Sequence, residues 1–371
     1  MDLNNIKQIK RLDPQGMLDI VYKWPDLIRN ALDTNILIPQ QTQVQNQHIN
    51  YQNKIKNILI CGMGGSAVSG DYLSTYLEDK IAIPIFVRRN YSLPEFVDEH
   101  TLTILISYSG NTEETISCLI EALQKNAIII GIASGGKLLE FFSRNNLPVF
   151  KIPGGMQPRA SFPLLLFPLL RILRDLGVFN VDNNVINEIL ENIKIIREEC
   201  KIDIPTTDNP AKRIAKSLYK KIPVIWSPYK CVGNRIKCQI NENSKMQALC
   251  EEIPELDHNH IVGWEAYDET NPFVIFAIRF PSEHPNVSLR FEISKDIIRN
   301  KVEIVEMNVK GSELLNQLIY ATYMGDYISI YLSILNNVNP NSVQSIDYLK
   351  HELELRKQTQ SNLFRNLDKF Y

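Results

Sequence analysis

Apolar residues along the first half of the chain fall into short continuous blocks, at 57–61, 83–87, 103–106, 127–133 and 148–152. Each is rich in Ile, Val and Leu and too short for a helix, the pattern of strands buried on both faces. Between them lie stretches with helical spacing, from about 66 to Leu77, over 113–123 and over 137–143. Strands alternating with helices predict right-handed βαβ crossovers and a doubly wound, mostly parallel sheet of about five strands.

The second half alternates in the same way, less plainly. Helices are expected over 209–219, 229–241 and 289–300, strands over 222–226, 273–278 and 302–307, then one long helix over 311–335 and a charged last helix over 346–367. Residues 1–50 form a helical lead-in whose apolar face includes Met17, Leu18, Val21, Leu27 and Ile28, and whose Gln/Asn-rich end, 40–52, is expected as a loop or frayed helix. The breakers Pro153, Gly154 and Gly155 place a boundary near 154. The expected organisation is therefore a lead-in (1–50), a first α/β domain (51–153), a helical connector (154–205) and a second α/β domain with a terminal helix (206–371). The apolar block at 162–170 carries two prolines and ends at Arg171, which suits a buried or interface helix better than a membrane span.

Chemistry collects where strands run into helices. The strand at 103–106 leads directly into Ser107, Tyr108, Ser109, Gly110, Asn111 and Thr112, and a helix follows. Hydroxyl donors beside the amide groups of a helix N-terminus make a cradle for an anion. A second glycine-rich turn, Gly62 to Ser66 with Gly64 and Gly65, follows the strand at 57–61. Neither turn has the lysine-bearing P-loop pattern or the spacing of a dinucleotide fingerprint, so a phosphomonoester fits better than a nucleotide. Read singly, Thr112 would serve equally as an N-cap.

Composition narrows the class. The 371 residues carry a net charge of −2, too little basic surplus for nucleic-acid binding as a main task. Six dispersed cysteines without a C-x-x-C pair read as reduced thiols of a cytoplasmic protein, with no metal framework. The N-terminus lacks the pattern of a secretion signal.

The turns at Gly62–Ser66 and Ser107–Thr112 are joined by Met156 to Arg159, by the run Asn241-Glu242-Asn243-Ser244-Lys245, by His258-Asn259 with Ile261-Val262-Gly263-Trp264, and by Ile346 to Lys350. In this order, over most of the chain beyond residue 55, they resemble the bifunctional phosphoglucose/phosphomannose isomerase family, whose members contain two tandem flavodoxin-like sugar isomerase (SIS) domains. The resemblance implies an aldose–ketose isomerase acting on glucose 6-phosphate, mannose 6-phosphate or both, giving fructose 6-phosphate without metal or organic cofactor. It implies Glu242 as the base, His258 and Lys350 as ring-opening groups and Arg159 as the cation beside the enediolate. Gly64, Gly65, Ser66, Ser107, Ser109 and Thr112 would hold the phosphate, and His258 would come from the neighbouring subunit of a homodimer. Apart from that resemblance, Glu242 would be an ordinary surface glutamate, His258 with His260 a metal pair short of a third ligand, and Lys350 one charge on an exposed helix. A sensor that only binds sugar phosphate is the alternative, disfavoured because the lead-in offers no basic recognition helix.

Overall fold

The computed structural model describes residues 1–34, 36–44, 47–267 and 272–370. In chain order the first elements are α1 (Ile6–Leu12), α2 (Met17–Tyr22), α3 (Trp24–Asp33), β1 (Gln41–Val44), β2 (Gln47–Asn50), β3 (Asn57–Cys61) and α4 (Gly64–Leu77). Next come β4 (Ile85–Arg88), β5 (Thr101–Ser107), α5 (Glu113–Gln124), β6 (Ile128–Ala133), α6 (Gly136–Arg144), β7 (Val149–Lys151), α7 (Pro163–Asp175) and α8 (Asn183–Cys200). The chain continues through α9 (Pro210–Leu218), β8 (Ile222–Ser227), α10 (Lys230–Gln239), β9 (Leu249–Glu252), β10 (Phe273–Arg279), α11 (Pro285–Ile298) and β11 (Ile304–Asn308). It closes with α12 (Leu314–Leu335), α13 (Gln344–Lys357) and α14 (Thr359–Asp368).

Two compact units result, one from residues 26–181 with 343–371, the other from 1–25 with 182–342. The contiguous segments expected from sequence cut the chain differently. Within the first unit α7 packs on α4 and α14 on α5; within the second, α8 packs on α12. The expected connector is thus divided, and the terminal helices follow α5 rather than the second sheet.

The sheet of the first unit has the order β4-β3-β5-β6-β7, every neighbouring pair parallel. Its central strands β5 and β6 are buried over their whole length, as strands covered by helices on both faces must be. Strand order reverses between β3 and β5, so the turns leaving their carboxyl ends border the crevice where such sheets take ligands. Within the Gln/Asn-rich stretch the described residues 41–44 and 47–50 are strands rather than loop or helix. β1 and β2 pair antiparallel, Val44 and Ile49 turn inward, and Tyr51 OH donates to the Ile129 carbonyl at 3.0 Å. Two buried apolar residues with amides outward satisfy a period of two, which composition alone conceals.

The second unit holds a parallel sheet in the order β11-β10-β8-β9. β9 escaped the sequence reading because Leu249-Cys250-Glu251-Glu252 is half charged. The expected final helix over 346–367 is two helices, broken at Gln358, whose φ is +47°. α12 is long and apolar enough to cross a membrane, yet it is buried within the unit along its length and packs against α2, α8, α9 and α10. The block at 162–170 is likewise the buried α7.

Beside α12, Lys212 of α9 is fully buried, its Nζ donating to the carbonyls of Ile202 at 2.8 Å and Ile204 at 2.7 Å. The ammonium also stands 5.3 Å from the centre of the Tyr331 ring. Burial lowers its pKa to about 8. The folded state therefore releases this proton near pH 8 while the unfolded chain holds it until about 10.5, so folding gains stability as pH rises across that interval. Comparing thermal melts of the parent and K212M from pH 7 to 10.5 checks this: the parent should gain on the variant as pH rises, and parallel curves would refute the shift.

Candidate functional site

The first unit builds its cradle from four turns at the carboxyl edge of one sheet. After β3, Gly62 passes so near β5 that a Cβ would lie 3.0 Å from the Ile106 carbonyl oxygen. Met63 is extended and α4 begins at Gly64, whose φ is +49°. A Cβ on Gly65 would stand 3.3 Å from the Pro158 carbonyl oxygen, which brings the short 3-10 helix Pro158–Ala160 against the start of α4. Ser66 is buried in the first turn of α4.

After β5, the Ser107 and Thr112 hydroxyls bond each other at 2.8 Å, and the Thr112 N–H donates to Ser107 Oγ at 3.3 Å. Ser107 is fully buried and Ser109 exposed, so the two serines face different surroundings. The Asn111 N–H donates to Ser109 Oγ at 3.3 Å. Thr112 is the extended residue before α5 and makes no side-chain cap bond to that helix; its hydroxyl is turned to Ser107. The ordinary N-cap alternative is thus set aside.

The third turn, Ser134-Gly135-Gly136, did not stand out in the sequence, although it repeats the strand–serine–glycine–helix order of the others. Ser134 Oγ donates to the Tyr108 carbonyl at 2.6 Å, Asn111 Oδ1 accepts the Lys137 N–H at 2.9 Å, and Gly110 O accepts the Leu138 N–H at 2.9 Å. Gly110 has φ +74°, and a Cβ there would fall on the Gly135 carbonyl oxygen. From the fourth turn, the Met156 N–H donates to Tyr108 OH at 3.0 Å. Arg159 is 4% exposed, with an Nη1 contact of 3.3 Å to Gln157 Oε1. A buried guanidinium keeps its charge and adds it to this side of the unit.

α14 fastens the outside of the same loop. Gln360 Nε2 donates to the Asn111 carbonyl at 2.8 Å and Thr359 Oγ1 to Glu113 at 2.7 Å, while Lys137 pairs with Asp368 at 2.6 Å. Lys350 lies on α13 of this unit, a helix with no buried residue, and is exposed.

Glu242 and His258 belong to the other unit. α10 continues without a break into a π-helical turn, Ile240–Ser244, the kind of local irregularity that recurs at functional sites. Asn243 Nδ2 donates to Ser329 Oγ at 2.9 Å and Ser244 Oγ to the Ser329 carbonyl at 2.7 Å. Lys245, with φ +55°, closes the turn by donating Nζ to the carbonyls of Glu242 at 2.7 Å and Asn339 at 2.9 Å. Glu242 is half-buried at the middle of this turn. His258 ends the 3-10 helix Glu255–His258 and is exposed, whereas His260 is half-buried, meets Trp264 edge-on and has its pKa lowered by burial against an opposing effect of Glu251. Among the described residues no group of three His, Cys, Asp or Glu side chains could hold a metal.

Residues 53–156 match the SIS domain family model, and 207–353 that of the bacterial phospho-glucose isomerase C-terminal SIS domain. A bifunctional phosphoglucose/phosphomannose isomerase of Caldicellulosiruptor bescii is 36% identical over 342 residues, covering 91% of this chain and 98% of its own. One from Aquifex aeolicus is 35% identical over 303 residues, covering 81% and 91%. A hypothetical protein from Thermus thermophilus, solved by crystallography, aligns with a TM-score of 0.72 over 94% of both chains at 16% identity, a likeness of fold.

G110A tests the cradle's construction. A side chain at this positive φ, against a backbone oxygen, should cost about 2 kcal/mol or more and lower the melting temperature by several degrees. A melt unchanged from the parent would show that the turn is not so constrained.

Proposed function

Because the chain belongs to the bifunctional phosphoglucose/phosphomannose isomerase family, we propose that it interconverts fructose 6-phosphate with glucose 6-phosphate, mannose 6-phosphate or both, through an enediol. The observation that carries this reading is a carboxylate at the centre of a braced π turn, Glu242, in a chain that also builds a hydroxyl cradle at Ser107 and Thr112.

Each chemical requirement then has a named group. Gly64, Gly65, Ser66, Ser107, Ser109 and Thr112 hold the phosphate, using the amides at the start of α4 and α5 together with the hydroxyls. His258 and Lys350 open the sugar ring, histidine being suited to give a proton to the ring oxygen and take it back. Glu242 removes the proton at C2 of the aldose, or C1 of the ketose, and returns it to the neighbouring carbon; no net oxidation occurs. The negative charge that develops on the enediolate oxygen is met by the guanidinium of Arg159. Aldoses that differ only at C2 yield the same enediol but carry the C2 hydrogen on opposite faces, so one base serves both when the sugar turns about its C2–C3 bond to present either face. In this reading the enzyme is a cytoplasmic homodimer in which His258 is supplied by the second copy.

A coupled assay on the purified protein, following glucose 6-phosphate and mannose 6-phosphate separately from fructose 6-phosphate, tests it. E242Q should lower kcat roughly 100- to 10,000-fold with the fold intact, the range general base catalysis supplies. Turnover within a few-fold of the parent would remove Glu242 from the chemistry. The pair S107A with T112V should raise KM at least tenfold, since each hydrogen bond to a charged group contributes about 1.5–3 kcal/mol; an unchanged KM would place the phosphate elsewhere.

A further inference from the structure

Every residue of α12 from Leu315 to Leu335 is buried, yet Thr322, Asp326, Ser329 and Ser333 are polar, followed by Asn336 at the end of the helix. Their spacing of four, three, four and three residues puts them on one face. Gly325 lies among them, and a Cβ there would come 2.5 Å from Cγ1 of Ile236, so this is the face against which α10 is pressed.

The contacts on that face converge on the residues flanking Glu242. The Asp326 carboxylate accepts from Arg235 Nη2 at 3.0 and 3.1 Å and from Gln239 Nε2 at 2.6 Å. Arg235 and Gln239 are one turn apart at the end of α10, immediately before the π turn. One turn further along α12, Ser329 Oγ donates to the Asp326 carbonyl at 2.8 Å and accepts from Asn243 Nδ2. The Ser329 carbonyl accepts Ser244 Oγ, and Asn336 Nδ2 donates to the Ser244 carbonyl at 2.9 Å. Position 239 on one side of Glu242 and positions 243 and 244 on the other are therefore tied to consecutive turns of a buried helix.

Stability alone does not account for this arrangement. A buried ion pair gains little over well-packed apolar residues of similar volume, because desolvation offsets its attraction. What it adds is direction: a carboxylate gripping two donors one turn apart sets the rotation of α10, and an extra residue in the following turn makes that rotation decide where the next side chain points. We propose that Asp326 and Ser329 are positioning residues for Glu242, holding its carboxylate in register for proton transfer. This rests on the reading of Glu242 as the base.

The test is steady-state kinetics on fructose 6-phosphate with the full chain, comparing E242Q, S329A, D326N and the double variant R235L/D326L, each with a thermal melt. S329A should lower kcat about tenfold with KM within twofold of the parent. D326N should lower it further, and R235L/D326L should melt within a few degrees of the parent while kcat stays at least tenfold down. That last separation is one that a purely structural role would not produce. S329A decides the matter should either Asp326 variant fail to fold. If S329A and R235L/D326L keep the parent kcat, or lose kcat/KM only through KM, the positioning role is refuted, while an inactive E242Q keeps Glu242 as the base. An active E242Q would overturn the base itself, and the positioning role with it.

Discussion

Parallel pairing is the constraint from which the rest of this structure follows. Each main sheet has only parallel neighbours, so the chain must cross back to the same end after each strand, through α4 after β3, α5 after β5, α6 after β6 and α11 after β10, and through a helix-free loop between β4 and β5. Within a unit, every strand then ends at the same edge, and the helices begin there with their amides unpaired. In the first unit this brings the turns after β3, β5, β6 and β7 to one edge and makes it electropositive before any side chain is chosen.

Side chains then specialise that edge. A Cβ at 110 would collide with the Gly135 carbonyl oxygen and those at 62 and 65 would press tightly on backbone, and Ser107 and Thr112 share a hydrogen bond instead of capping α5 in the usual manner. The loop is held from outside by Ser134, Lys137 and Leu138 and by Gln360 of α14. In the proposed phosphate role, such bracing would limit the reorganisation on binding, which is how a preorganised site gains affinity.

The second unit solves a different problem with the same economy. Glu242, the base we propose, would have to be accessible yet fixed, and a helix end is a poor place to fix anything because it frays. The π turn after α10 is secured through Asn243, Ser244 and Lys245, each bonded to α12 or to a carbonyl of the chain beside it. The run Asn241 to Lys245 thus braces the turn that carries the half-buried Glu242.

Much of this was legible in the sequence. Continuous β-branched blocks announce strands buried on both faces, and helical spacing between them imposes a parallel α/β sheet; 57–61, 103–106 and 127–133 fall inside or within a residue of observed strands. The hydroxyl and glycine turns at 62–66 and 107–112 were visible because they depend on residue type and local spacing. Other features depend on partners far away in the chain. β1 and β2 were hidden under amide-rich composition, β9 under its glutamates, and the break at Gln358 under a continuous charged pattern. The sequence by itself determined the alternation of elements and the chemistry of the turns, since both follow from local propensity and periodicity. Only the tertiary structure decided that the terminal helices belong with the cradle and that a polar stripe on α12 faces α10, because neighbours separated by scores of residues select those contacts through burial and hydrogen bonding.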